Sequence, residues 1–234
     1  MLKVDFHIHT GDDPIDRIPY STHQLIDRAA ALGYDALAIT LHDYQLDVQP
    51  LAASAAERGV VLIPGIERTI EGRHVLLLNF PGAAVADVRT FDDVRRLRQD
   101  YRGLVIAPHP YFPGLHSLFG ALNQHADIFD AVERNAMYTA SLDFNRPAEQ
   151  WAHAHDKPVV GNGDVHRLEQ LDTTYTLVDA ERDPAAICAA VAAGRVRLVT
   201  RPLTWGTAVR LVTVILASPL VLGPRSTQPA EATV

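Results

Sequence analysis

The side chains best suited to chemistry here are metal donors: His7, His9, His42, Glu67, His74, His109, Asp164 and His166. All offer nitrogen or oxygen, and no thiolate joins them. Such donors suit Zn, Mn or Fe in a hydrolytic centre better than a structural zinc. They are too many for one ion of four to six ligands. Glu67 has two oxygens with which to bridge, so the set reads as a di- or trinuclear centre. His7 and His9 alternate with Phe6 and Ile8 in Val4-Asp5-Phe6-His7-Ile8-His9. A period of two places both imidazoles on one face of a strand, where they can point at one ion.

The elements that must position these residues alternate. After the first strand and a polar loop, Ser21 or Thr22 caps a helix through Leu32, and Gly33 ends it. Strands are expected at Ala36–Thr40, Val60–Pro64, His74–Phe80, Leu104–Ala107, Ala131–Arg134, Lys157–Gly161 and Val196–Thr200. Helices are expected at Pro50–Arg58, Phe91–Tyr101, Arg146–His155 and Pro184–Ala193. Short joints between them argue for a parallel sheet with crossover helices. The donors fall at or beyond the C-terminal ends of separate strands, as in a barrel with its active site on one face. A doubly wound open sheet is the alternative. No glycine-rich phosphate loop of either common type is present.

Six stretches carry a resemblance. They are Asp5-Phe6-His7-Ile8-His9-Thr10, Ala38-Ile39-Thr40-Leu41-His42-Asp43, Gly65-Ile66-Glu67, His74-Val75-Leu76, Ala107-Pro108-His109-Pro110 and Gly163-Asp164-Val165-His166. In this order the chain resembles the PHP family, named for polymerase and histidinol phosphatase, over roughly residues 1–200. The resemblance implies an α/β fold, a distorted (β/α)7 barrel of TIM-like form, with the metals at the strand C-terminal ends. It implies a first metal on His7, His9, Glu67 and Asp164, and a second on Glu67, His74 and His109. His42 and His166 would join a third, with a carboxylate from the loop after the first strand. Asp12, Asp13 and Asp16 compete for that place, and Asp13 is favoured. Leu41 departs from the family, where many members carry aspartate; Asp43 is the substitute to test.

The implied activity is hydrolysis of phosphoesters by metal-activated water, with two or three divalent ions (Zn, Mn or Fe) per chain and Glu67, Asp164 and His166 as catalytic residues. Small phosphomonoesters or nucleotides are the expected substrates, and Arg134, Arg167 and Arg68 could clamp a phosphate. The alternatives are a non-catalytic, metal-stabilised binding module and a metal-dependent hydrolase of a non-phosphate bond.

Bulk properties narrow the partners. The chain has 234 residues with 47% hydrophobic and 21% charged residues, enough for a buried core. Its formal net charge of −7 argues against a broad surface for long nucleic acid. A lone cysteine, Cys188, in an alanine-rich run reads as a buried small hydrophobe and fits a reducing, cytoplasmic setting. The expected organisation is a phosphoesterase domain at 1–203, an apolar helix at 204–223 and a disordered tail at 224–234. Packing on the barrel, a protein partner and peripheral membrane contact are the readings for 205–223.

Overall fold

The computed structural model describes residues 1–221. In chain order the elements are β1 (Leu2–Ile8), α1 (Thr22–Ala31), β2 (Ala36–Ile39), α2 (Gln49–Glu57), β3 (Val61–Ile70), β4 (Arg73–Leu78), α3 (Gly82–Val85), α4 (Phe91–Asp100), β5 (Leu104–Ala107), α5 (Gly120–Gln124), β6 (Ala131–Asn135), α6 (Arg146–Ala154), β7 (Val159–Asn162), β8 (Thr174–Val178), α7 (Pro184–Ala192), β9 (Val196–Thr200) and α8 (Trp205–Val221). The strands form one sheet in the order β7-β6-β5-β4-β3-β2-β1-β8-β9, curled into a nearly closed barrel.

The sheet is mixed rather than wholly parallel. β1–β2, β2–β3, β5–β6 and β6–β7 pair in parallel, whereas β3–β4, β4–β5, β1–β8 and β8–β9 are antiparallel. The reason is local. β3 runs on past Glu67 and turns back at Glu71-Gly72, both with positive φ. That is the backbone of a tight hairpin turn whose twist matches the strands it joins. The hairpin puts Glu67 and His74 on neighbouring strands, which a crossover helix could not do within seven residues.

Side chains bridge the seam beside a backbone bridge between Ile8 and Val165. Phe6 N–H donates to Asn162 Oδ1 at 3.1 Å. Gly161 N–H donates to Thr176 Oγ1 at 2.9 Å, and that hydroxyl returns a 3.0 Å bond to the Gly161 carbonyl. Gly161 is required here: a Cβ would lie 2.5 Å from Leu198 Cδ1 and 2.9 Å from Thr174 Cγ2. Below the seam, Ile187, Cys188, Ala190 and Val191 of α7 share one apolar cluster with Val4, Phe6, Ile63 and Leu104. Cys188 is buried, as its sequence setting suggests, and burial pushes its thiol up to about 12.

The membrane expectation for the C-terminal segment is corrected. Among the described residues no helix is long and apolar enough to cross a membrane. α8 has 17 residues, against the ~20 a span needs. It is tied to the body of the protein: Leu211 is buried, Arg210 pairs with Glu169, and Arg167 Nη2 donates to the Val214 carbonyl at 3.2 Å. The expected tail at 224–234 lies outside the described residues.

Closure at Gly161 is testable by denaturant unfolding. Gly161→Ala should destabilise by about 1–3 kcal/mol through overpacking at the seam. Gly120→Ala, where an added Cβ meets nothing within 4 Å, should change stability by less than about 0.5 kcal/mol.

Candidate metal centre

The centre forms where the strand ends converge. His9 follows β1, His42 follows β2, His109 follows β5, and Asp164 and His166 follow β7; Glu67 and His74 lie within β3 and β4. Glu67 is 1% exposed and sits in the middle. Its Oε2 lies 3.2 Å from His7 Nε2, 3.3 Å from His9 Nε2 and 3.2 Å from His42 Nε2. Its Oε1 lies 2.7 Å from His74 Nδ1 and 3.1 Å from His109 Nε2. One carboxylate is thus shared by five imidazoles, three on one oxygen and two on the other.

Asp164 completes the first group. Its Oδ1 lies 3.5 Å from His7 Nε2 and 3.6 Å from His9 Nε2, while Asn135 Nδ2 donates to its Oδ2 at 3.1 Å. An ion with bonds of about 2.0–2.2 Å in tetrahedral geometry needs donor atoms about 3.3–3.6 Å apart. The four distances joining His7 and His9 Nε2 to Glu67 Oε2 and Asp164 Oδ1, 3.2–3.6 Å, match it. His7 Nε2 and His9 Nε2 are also buried without a hydrogen bond. Buried polar atoms are rarely left so, and two aimed at the same carboxylates fit a cation.

The rings are held from behind. His7 Nδ1–H donates to Glu133 Oε2 at 2.8 Å, and His9 Nδ1–H donates to Asp13 Oδ2 at 2.9 Å. A carboxylate only accepts, so these bonds put the proton on Nδ1 and turn the Nε2 lone pair to the centre. Glu133 is fully buried, with Asn162 Nδ2, Asn135 Nδ2 and the His109 N–H occupying its remaining acceptor positions. Asp5, also fully buried, accepts from the His7 and Gly163 N–H groups, and burial pushes its carboxyl up to about 7. His109 and Asp164 both have positive φ, at 27° and 47°. Such backbone costs on the order of 1–3 kcal/mol per residue and persists where surrounding bonds fix it.

The electrostatics call for positive charge. Burial would push Glu67 up, but His7 and His74 outweigh it and hold the carboxyl well below its usual range. Burial would likewise favour neutral His7 and His9. The carboxylates around them win and raise both rings well above the usual imidazole range, so the Nε2 positions attract positive charge, a proton or an ion.

The remaining expected residues lie around the centre in different settings. Asp13 is fully buried and close enough to His9 and His42 to share an ion with them. Its oxygens are already engaged: Oδ2 by His9 Nδ1, His42 Nδ1 and the His42 N–H, Oδ1 by the N–H groups of Ile15 and Asp16. Asp16 stands on the open side, with Oδ2 2.9 Å from His166 Nε2 and 4.0 Å from His42 Nδ1. Asp43 turns to the hairpin, where its Oδ1 accepts from Thr69 N–H and pairs with Arg68.

The arginine clamp is not formed. Arg68 is buried and donates to the carbonyls of Val88, Ala86 and Asp43. Arg134 alternates with Glu133 and Asn135 along β6 and faces the other way, onto Asp143, Glu149 and the Tyr138 ring. Arg167 reaches toward α8. Glu133 was absent from the expected ligand set because it supports a ligand rather than being one. Its position in the expected strand before the Asp164 motif was the available signal.

Replacing Glu133 by Gln keeps the shape but removes the charge behind His7. Metal affinity, measured by competition with a chromogenic chelator, should fall about 10–100-fold; unchanged affinity would contradict the supporting role.

Comparisons with known proteins agree with this geometry. A family profile described as PHP-associated matches residues 143–196. A 3',5'-nucleoside bisphosphate phosphatase of Chromobacterium violaceum is 35% identical over 79 residues, 32% of this chain and 26% of that protein. The match therefore spans about a quarter of that relative. A two-domain Bacteroides vulgatus protein containing a predicted PHP-like metal-dependent phosphoesterase superposes with a TM-score of 0.62 at 20% identity, covering 92% of this chain and 69% of that one. The lesion-specific endonuclease PfuEndoQ of Pyrococcus furiosus gives 0.57 at 14% identity, covering 98% and 73%. With the six motifs in family order, the profile match over residues 143–196 and the partial match to the phosphatase support a PHP-type domain in this chain.

Proposed function

We propose that this chain is a metal-dependent phosphoesterase acting on small phosphomonoesters or nucleotides. The observation that carries the reading is Glu67: a buried carboxylate shared by five histidines. The similarity to the bisphosphate phosphatase supports a small phosphorylated substrate. The cleft above the centre, about 270 Å³ and lined by Glu67, His74, His109, Asp164 and His166, gives such a substrate access. That access favours an enzyme over a binding module stabilised by a buried ion.

His7, His9, Glu67 Oε2 and Asp164 would hold one ion, and Glu67 Oε1, His74 and His109 a second. His42 and His166 would serve a third with Asp16, because Asp13 is engaged in orienting His9 and His42. Mn, Zn and Fe all suit these donors. When bound, divalent ions supply Lewis acidity and charge neutralisation for in-line attack of water on phosphorus. The chain's own part is placement. Glu133 and Asp13 fix the His7 and His9 rings, and Asn135 fixes Asp164. His166 faces the cleft beside Asp164, with its Nδ1–H donating to the Asp164 carbonyl at 3.0 Å, which leaves Nε2, beside Asp16, for the third ion. No arginine lines this cleft among the described residues, so the phosphate depends on the ions and histidines for neutralisation.

Glu67→Gln should lose metal and hydrolysis together, read by elemental analysis and by turnover of an aryl phosphate after Mn or Zn loading. A folded variant that is active without metal would overturn the scheme. Asp16→Ala should cost one ion per chain and leave the others, whereas retention of the full complement would remove Asp16 from the ligand set.

A further inference from the structure

The cleft over the centre has a one-sided lining. Metal-facing residues form its floor, and Phe112, Leu115 and Met137 supply an apolar side. Among the described residues no lysine or arginine lines it; Arg17, the nearest candidate in sequence to the donor loop, lines a neighbouring cavity with Asp12 and Asp16 instead. Leu115 is 87% exposed and is free to meet a ligand at the cleft it lines.

That exposure is held in place. Arg73 Nη1 donates to the Leu115 carbonyl at 3.0 Å and to the Ser117 carbonyl at 2.8 Å. The His74 N–H donates to the His116 carbonyl at 2.9 Å. The His116 ring stacks on His74 with centroids 4.5 Å apart and planes 1° apart. Phe112 meets Phe144 edge-on at 5.6 Å and His109 at 6.5 Å. Residues 115–117 are therefore tied to the strand that carries His74, and Phe112 packs against the His109 ring beside them.

We propose that Phe112, Leu115 and Met137 are specificity determinants that select phosphomonoesters whose leaving group carries an uncharged ring, as a nucleoside does. The inference rests on the phosphoesterase reading and adds to it which part of the substrate the chain recognises. A ring entering this side removes Leu115 and Phe112 from water and stacks near the aromatic edges, while its phosphate meets the donors on the floor. A bare sugar phosphate reaches the floor but gains nothing from the wall. The volume of about 270 Å³ is at the small end for small-molecule sites and suits one such ring rather than a duplex.

Adenosine 5'-monophosphate and ribose 5-phosphate separate the two parts, since both release a primary sugar hydroxyl and differ in the base. On metal-loaded protein, kcat/KM should favour the nucleotide at least about tenfold, within the range that stacking one base on aromatic side chains provides. Dissociation constants from calorimetry should show the same preference. Leu115→Ala, at an exposed position that should not disturb folding, and Phe112→Ala should each shrink that ratio. A ratio near one in the unaltered protein, or a ratio untouched by both variants, would overturn the proposal. Nucleotide preference in calorimetry with no hydrolysis of either compound would uphold the wall and overturn the phosphoesterase reading.

Discussion

A carboxylate taken out of water must be matched by positive charge close at hand. Glu67, 1% exposed at the converging strand ends, is where this constraint falls on the fold. An isolated buried charge costs several kcal/mol even after relaxation. Five imidazoles face this carboxylate, three on one oxygen and two on the other. The His7 ring is itself drawn toward the protonated state by Asp164, Glu67 and Glu133, whereas burial holds His74 below the usual imidazole range.

The barrel exists to hold these rings at the required spacing. Glu133, Asn135 and Asn162 come from β6 and β7, and their bonds reach His7, His109 and Asp164 from elsewhere in the chain. The same Asn162 accepts the Phe6 N–H across the seam, so barrel closure and ligand orientation share a residue. The β3–β4 hairpin makes a similar economy, since it puts Glu67 and His74 on adjacent strands. The left-handed backbone at His109 and Asp164 shows where regular strand ends alone do not bring the donors together.

Much of this was legible in the sequence because metal donors are few and their motifs keep strict local spacing. His7-Ile8-His9 and Asp164-Val165-His166 carry their geometry with them, and the glycine-marked joints give most strands. What was not legible depended on long-range bonds. Asp13 and Asp16 lie three residues apart in one polar loop, and only the folded loop shows that Asp13 is occupied by backbone and ring N–H groups while Asp16 faces His166. Arg68 and Arg134 sit beside Glu67 and Glu133 in sequence, but in a strand the neighbour faces the opposite way. One strand and one strand direction were also obscured: β8 lacks a long apolar run, and the antiparallel return of β4 is set by a two-residue turn without the usual asparagine. The apolar composition of α8 left packing, a partner and a membrane surface open as readings, and the helix is docked through Leu211 and Arg210.

The central claim is that the two oxygens of Glu67 serve different ions. Crystals of Mn- or Zn-loaded protein, measured at the metal absorption edge, test it most directly. The account predicts one anomalous peak bounded by His7, His9, Asp164 and Glu67 Oε2, and another bounded by His74, His109 and Glu67 Oε1. A single peak with one Glu67 oxygen left to hydrogen bonds, or no peak at Glu67 at all, would contradict it.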